Sequence, residues 1–222
     1  MSIRIDRSHG KRTSKRKSSS IRKSSTQSRS KVTTHASHAT VPTPVQIRKL
    51  CKGEGLLVKD SHVIKVLQDI YRTFLIKIVK AAGNRPSKKT SVSPAAKKTR
   101  AITDEDLMFA LTTLFGTKIQ SKLNDGTVLV DAPRFRKMFK ETLELLASTE
   151  RSASADILNI IQKAVEVCVA RAFLAPVYSW ELVDKGSVGK KYVTMESLKK
   201  VNQVYLVAGS EYYSPSIVKS TT

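Results

Sequence analysis

The sequence predicts an all-α protein made of two tandem units, each with a short helix, a long central helix and another short helix. Six segments place apolar residues at i, i+3, i+4 and i+7, the spacing of one helix face, and their short–long–short order occurs twice. One unit alone would leave an apolar face of its long helix uncovered. We therefore expect the two long helices to cross head to tail, so that the units pair as an intramolecular pseudo-dimer.

The helical segments are bounded by residues that favour helix ends. They cover 44–52, 61–82, 104–115, 133–147, 155–175 and 195–208. Asp60, Thr103 and Thr194 are the predicted N-caps, because their side-chain oxygens can accept from free N–H groups of the first turn. Pro176 should bend or end the second long helix. A brief strand is expected at 127–130.

These elements divide the chain into five regions. They are a disordered basic tail, the first helical unit, a linker, the second helical unit and a C-terminal tail, at 1–43, 44–115, 116–131, 132–209 and 210–222. Ser, Lys and Arg dominate the N-terminal tail, and it has almost no apolar residues that could offset the entropy of folding.

The charge of the chain is high and unevenly distributed. The 222 residues include 40 Lys and Arg against 18 Asp and Glu, for a net charge of +22. Residues 1–40 carry +10, residues 41–84 carry +5, residues 85–100 carry +6 and residues 101–222 carry only +1. This distribution predicts a polyanionic partner that is bound by the first half of the chain, either nucleic acid or an acidic membrane surface.

The other compositional features exclude several classes of protein. No apolar run approaches the ~18 residues of a membrane span, and no secretory signal follows the basic N-terminus, so we expect a soluble intracellular protein. Cys51 and Cys168 lie among apolar residues, which predicts reduced core thiols. The four histidines lack the spacing of metal ligands. No phosphate-binding glycine loop or catalytic triad is evident, so we expect no metal, no cofactor and no enzyme.

Five segments resemble the core histones. Three are similar to histone H-four. "IRKLCKGEG" (47–55) is similar to its first-helix segment, and "FLIKIVKAA" (74–82) to the end of its central helix. "RAITDEDLMFAL" (100–111) is similar to the segment that enters its last helix. Two are similar to the central helix and last loop of histone H-three: "QKAVEVCVARAF" (162–173) and "KYVTMESL" (191–198). The resemblance covers residues 44–208. It implies two tandem histone folds fused in one chain, as in the histone doublets of giant DNA viruses of the marseillevirus type.

The resemblance implies a DNA-packaging protein that wraps double-stranded DNA through the phosphate backbone in nucleosome-like particles, as the histone octamer does. The implied partners are double-stranded DNA, a second copy of the chain, and a second doublet of the H-two-B/H-two-A kind. The implied location is the virion and the host nucleus or a cytoplasmic viral factory.

The candidate DNA-binding residues are cations and one helix cap. In the tail they are Lys11, Arg12, Lys15, Arg16, Lys17, Arg22 and Lys23. In the two units they are Arg48, Lys49, Lys59, Lys97, Lys98, Arg100, Thr103, Arg134, Arg136, Arg151, Lys190 and Lys191. Head-to-tail pairing should place Lys59 near Lys190 and Lys191, and Arg151 near Lys97, Lys98 and Arg100. The cations at 97–100 would attract a phosphate, and Thr103, at the positive end of a helix, would orient it.

Two other functions remain open from the sequence. A transcription-factor subunit with histone folds would act by protein–protein contacts, although the basic tail and loop favour DNA. A basic RNA-binding protein of the ribosomal sort would prefer RNA, but the chain has no Gly-aromatic RNA motif.

Overall fold

The computed structural model of the chain describes residues 39–85, 100–115, 128–148, 151–182, 184–185 and 189–207, together with Leu123. The described residues all belong to one compact unit, His38–Thr222. They are mostly helical, which confirms the all-α class. The predictions for residues 1–38, 86–99 and 208–222 concern residues outside the described ranges.

The helices of the described ranges follow the predicted order. They are α1 (Pro44–Gly53), α2 (Ser61–Gly83), α3 (Asp104–Phe115), α4 (Ala132–Leu145), α5 (Ala155–Val169), α6 (Ala175–Ser179) and α7 (Met195–Val207). A π-helical turn, Ala170–Leu174, joins α5 to α6. The two-residue strands are β1 (Arg100–Ala101), β2 (Arg151–Ser152), β3 (Asp184–Lys185) and β4 (Lys191–Tyr192), and β3 and β4 form an antiparallel hairpin.

The predicted N-caps are confirmed. Asp60 accepts a hydrogen bond from the His62 N–H at 2.8 Å at the start of α2. The last helix of each unit begins with a reciprocal threonine cap. The threonine hydroxyl accepts a hydrogen bond from the N–H of the third helical residue, and the side chain of that third residue accepts one from the threonine N–H. These pairs are Thr103 with Asp106 and Thr194 with Ser197. The two units therefore start their last helices in the same way, although their sequences differ.

The chain stays helical past Pro176, through the π-helical turn and α6 to Ser179, so of the two predicted effects of Pro176, a bend or an end, the end is not observed. Helix α5 changes to π-helical hydrogen bonding, with the Ala175 N–H donating to the Ala170 carbonyl, and α6 then begins at Ala175. Pro176 thus lies in the first turn of α6, where an absent N–H leaves no intrahelical bond unmade. The chain accommodates the proline by restarting the helix.

A strand was predicted for 127–130, of which the structure describes 128–130. These three residues do not form a strand. The N–H groups of Leu129 and Val130 instead donate to the carboxylate of Glu166, at 3.1 and 3.4 Å. The side-chain amide of Gln162 donates to the Val130 carbonyl at 2.8 Å. Polar side chains of α5 therefore satisfy the backbone groups that a partner strand would satisfy.

The core lies between the two long helices and is shared by both units. Helix α2 packs against α3 of its own unit and against α5 of the other. Phe74 of α2 contacts Phe115 and Phe173, with ring centroids 6.0 and 6.1 Å apart, and Phe173 contacts Tyr205 of α7 at 5.8 Å. This aromatic row crosses from one unit to the other, so the two units bury their apolar faces against each other in one continuous cluster.

Candidate nucleic-acid interface

Two loop pairs bring cations of the first unit next to cations of the second. The lysine loop pair consists of residues 57–59 and 190–193. The Leu57 N–H donates to the Lys191 carbonyl and the Val193 N–H donates to the Leu57 carbonyl, both at 2.9 Å. The two chain segments run parallel at this bridge. The predicted proximity of the loop before α2 to the loop before α7 is therefore observed.

Aromatic rings hold two lysine heads of this loop pair in place. The Nζ atom of Lys59 lies 3.9 Å from the ring centroid of Tyr192, and that of Lys191 lies 3.6 Å from the ring centroid of Tyr178. Gly55, at φ +73°, faces the same Tyr178 ring, which a Cβ at this position would approach at 3.4 Å. Each ring attracts its ammonium group through the negative face of the π system. The charged heads are consequently preorganised, and less side-chain entropy is lost when they bind an anion.

The aromatic residues of the lysine loop pair were missed by the sequence analysis. They are Tyr192, which holds Lys59, and Tyr178, which holds Lys191 and has 44% of its surface accessible. The available signal was a tyrosine in "VYSW" and two lysines with a tyrosine in "GKKY", and it becomes meaningful only once the fold brings the two segments together. Lys190 is exposed.

The arginine loop pair consists of β1 and β2, which pair in parallel. Arg100 lies opposite Arg151 in this register, and the Ile102 N–H donates to the Ser152 carbonyl at 2.8 Å. The predicted proximity of Arg151 to Arg100 is therefore observed for the backbone. The side chain of Arg100 and the two predicted cations before it, Lys97 and Lys98, lie outside the part of the chain that the structure describes.

The guanidinium of Arg151 is partly engaged within the protein. Its Nη2 donates to the Gly83 carbonyl at 2.7 Å, at the C-terminus of α2. A Cβ on Gly83 would lie 1.6 Å from Nη1, so the guanidinium occupies space that only glycine leaves open. A cation at a helix C-terminus is stabilised by the free carbonyls and the negative end of the helix dipole. Arg151 thus joins the arginine loop pair to α2 and remains half-exposed.

Both donors of Thr103 point to the carboxylate of Asp106. The Thr103 N–H and hydroxyl lie 3.1 and 2.9 Å from Asp106 Oδ2, and Asp106 is 2% exposed. Arg85 adds an ion pair at 2.8 Å to Glu105 and a second at 3.5 Å to Asp106. A phosphate at Thr103 would have to compete with this carboxylate. The geometry therefore gives Thr103 the role of a helix cap and does not favour the predicted role in orienting a phosphate.

The N-termini of α1 and α4 lie close together between the two units. The Gln46 side-chain amide is 3.4 Å from Asp131 Oδ2, and the Arg134 guanidinium donates to the Val41 carbonyl at 2.8 Å. Arg134 is therefore engaged with the backbone of the chain. The candidate cations of these two helices that are exposed are Arg48, Lys49 and Arg136.

Besides the cations, the described residues include two cysteines and several carboxylates. They contain no group of three or more His, Cys, Asp or Glu side chains that could hold a metal ion. Among their helices, none is both long and apolar enough to cross a membrane. Both cysteines are free and buried, as predicted, and burial raises the pKa of Cys51 to about 12. The cations of the two loop pairs, held by rings and by the C-terminus of α2, suit phosphate oxygens.

Comparisons with protein-family models, with curated proteins and with solved structures found no match for this chain.

Proposed function

We propose that this chain is a viral histone doublet, with two tandem histone folds paired head to tail, that packages double-stranded DNA in nucleosome-like particles. Its first unit corresponds to histone H-four and its second to histone H-three. Each copy would associate with a second copy and with a second doublet of the H-two-B/H-two-A kind, in the virion and in the host nucleus or a cytoplasmic viral factory.

The observation that carries this proposal is the existence of two parallel loop pairs, each joining one unit to the other and each bearing cations. Lys59 and Lys191 are held by rings at one pair, and Arg100 lies opposite Arg151 at the other. A long duplex with regularly spaced phosphates requires repeated cationic contacts at fixed separations. Two loop pairs on one rigid helical framework provide such contacts, whereas a flexible polycation does not.

Binding in this mechanism is independent of base sequence. The lysines and arginines neutralise phosphates, and counterion release makes affinity fall with salt. Exposed arginine side chains such as that of Arg136 can enter the minor groove where it faces the protein. The basic tail adds charge to the same DNA. Phosphates position the duplex, and bases carry no information for this protein.

The test is to reconstitute the full chain on long mixed-sequence DNA, with and without a candidate partner doublet, and to digest with micrococcal nuclease. A discrete protected fragment is the expected result, because DNA that follows fixed contacts is protected over a fixed length. A featureless smear together with tight, salt-sensitive binding would reduce the protein to a polycation. Weak, salt-insensitive DNA binding would instead favour the transcription-factor subunit that acts by protein–protein contacts.

A further inference from the structure

The last residues of the basic tail are bound to the second unit. We call residues 40–42 the tail root, since all tail cations precede them. The Thr40 N–H donates to Glu141 Oε2 at 2.7 Å, and the Thr40 hydroxyl donates to Oε1 of the same carboxylate at 2.6 Å. One carboxylate of α4 thus accepts two short hydrogen bonds from a single residue that lies 101 positions earlier in the chain.

The two residues that follow are anchored as well. The Val41 carbonyl accepts from the Arg134 guanidinium at 2.8 Å, and the Pro42 carbonyl accepts from the Gln68 side-chain amide at 2.6 Å. Pro42 is buried. Three consecutive residues are therefore held by side chains of α2 and α4, before Thr43 begins α1. An extended segment with this many long-range hydrogen bonds has one fixed path over the surface.

Glu141 differs from Glu144, the other acid of α4, in its burial and in its partners. Glu144, one turn later, pairs weakly with Lys140 at 4.0 Å and is exposed. Glu141 is half-buried and contacts the tail root. Helix α4 also presents the exposed cations Arg136 and Lys137. An acid on the same helix weakens the attraction of α4 for a polyanion. Its presence is explained if the carboxylate has another role, and charge-assisted hydrogen bonds to the tail root provide one.

We infer that Glu141 is a positioning residue that fixes where the basic tail leaves the folded unit, and so where the tail meets DNA. This inference rests on the proposed function. A tail tied at its root beside α4 starts at a defined point, next to the exposed cations of that helix. The effective concentration of the tail is therefore highest at DNA that is bound beside α4. It falls with distance from the tail root, as for any tethered chain. Without this anchor the held segment would begin at Val41, which Arg134 still binds, so Thr40 would join the free part of the tail and the tail would reach a wider stretch of DNA.

The inference is tested with Glu141→Ala and the matched control Glu144→Ala. Each variant removes one negative charge from α4, so both change the overall attraction for DNA equally. Hydrogen–deuterium exchange of residues 39–43 without DNA measures the anchor. We expect exchange at Thr40 to accelerate about tenfold in Glu141→Ala, because its N–H loses its acceptor, and to be unchanged in Glu144→Ala. Equal exchange in the parent chain and Glu141→Ala would overturn the inference.

The position of the tail is then measured on DNA of the protected length. A hydroxyl-radical-generating iron chelate is attached to Ser37→Cys in the parent chain and in both variants. Cys51 and Cys168 are buried and free, and so do not compete for the label. We expect strand cleavage within a few nucleotides for the parent and Glu144→Ala, and a broader distribution for Glu141→Ala.

The outcomes separate the anchor from the function on which it rests. If Glu141→Ala exchanges faster and yet cleaves DNA as narrowly as the control, Glu141 holds the root without positioning the tail, and the inference is wrong. If the parent chain gives no discrete nuclease fragment, the proposed function fails and the positioning role fails with it, whatever the exchange rates. Only faster exchange combined with broader cleavage, on a parent chain that protects a fragment, supports the inference.

Discussion

At the scale of single residues, Gly83 leaves the space that the Arg151 guanidinium occupies at the end of α2. The guanidinium rests over the glycine and donates to its carbonyl at 2.7 Å. A candidate DNA-binding arginine is therefore also a cap of α2. Under the proposed function, its contribution to stability would be linked to its contribution to DNA binding, and simple removal of the side chain could not separate them.

A double-mutant cycle separates the contributions of this pair to stability. Gly83→Ala displaces the guanidinium, so the helix propensity gained, up to about 1 kcal/mol, is offset by loss of a charge-assisted hydrogen bond of about 1.5–3 kcal/mol. In an Arg151→Ala background the same substitution should stabilise, because the nearest obstructing atoms are gone. Urea denaturation of the four chains measures the coupling, which should equal the lost hydrogen bond, about 1.5–3 kcal/mol. If the free-energy changes of the two substitutions are additive, the contact between Arg151 and Gly83 does not contribute to stability.

Glu166 is the buried carboxyl that holds the linker to α5. It is 3% exposed and accepts hydrogen bonds from Leu129, Val130, Gln162 and Tyr71. Burial raises its pKa above the ordinary value of 4.5, more than these donors lower it. The folded chain therefore retains this proton at pH values where the unfolded chain has released it.

The sign of the pH dependence follows from this raised pKa. The stabilisation is fully present below pH 4.5, the unfolded value, and is lost as pH rises through the folded pKa. Glu166→Gln cannot ionise, so its free energy of unfolding should fall less than that of the parent between pH 4.5 and pH 7. Urea denaturation at several pH values measures the difference. Parallel curves for the two chains would mean that burial of Glu166 does not perturb its titration.

At the scale of elements, the junction of α5 and α6 depends on α7. The Tyr205 hydroxyl of α7 donates to the Ala172 carbonyl. Ala172 precedes Pro176 by four residues, so its usual α-helical donor would be the N–H that proline lacks. A side chain from another helix thus satisfies the carbonyl that the proline leaves without its regular donor.

Tyr205→Phe should lower the free energy of unfolding by about 1 kcal/mol, because a part-buried carbonyl loses a donor while the ring packing on Phe173 is retained. Tyr178→Phe is the control, since its ring is exposed and the same hydroxyl is removed. Thermal or urea denaturation compares the two variants with the parent. Equal effects of the two substitutions would show that the hydrogen bond to Ala172 does not stabilise the junction.

At the scale of the whole molecule, the tail and the loop pairs should contribute differently to DNA binding. The tail holds 11 Lys and Arg with one acid, whereas the loop pairs hold few cations at fixed positions. Charge without fixed geometry increases affinity and its salt dependence. Under the proposed function, charge at fixed positions would also determine the path of the DNA.

Substitution by glutamine tests this division. Changing Lys11, Arg12, Lys15, Arg16, Lys17, Arg22 and Lys23 should reduce the slope of log affinity against log salt by up to about 6, at about 0.9 per phosphate contact. Changing Lys59, Lys190 and Lys191 should reduce it by up to about 3. The nuclease fragment should survive the tail substitutions and be lost with the loop substitutions. The reverse pattern would assign the path of the DNA to the tail.

Much of the fold could be predicted from local signals. The observed bounds of α1, α2, α3, α4 and α7 agree with the predicted helices to within two residues, because capping side chains and apolar periodicity act over a few residues. The end of α5 was not predictable in this way. The local rule that proline ends a helix holds only if the chain cannot restart one, and here the π-helical turn and Tyr205 permit the restart.

The candidate site could be predicted only in part. Two features followed from the expected head-to-tail arrangement: Arg100 lies opposite Arg151, and the loop of Lys59 lies against the loop of Lys191. The engagement of Arg151 by Gly83, of Arg134 by Val41 and of Thr103 by Asp106 did not follow from it. A sequence shows which side chains carry charge, but whether a charge faces solvent or a nearby carbonyl depends on side-chain packing.

The sequence by itself determined the all-α class, the order of the helices, their caps and the concentration of charge in the first half, because periodicity, capping and charge are properties of neighbouring residues. Tertiary structure alone decided the anchoring of the tail root by Glu141, the aromatic support of Lys59 and Lys191, and the burial of Glu166 against the linker. Each of these contacts joins residues that are distant in the chain. Such contacts form only when the two long helices bury their apolar faces together, and no local pattern encodes their partners.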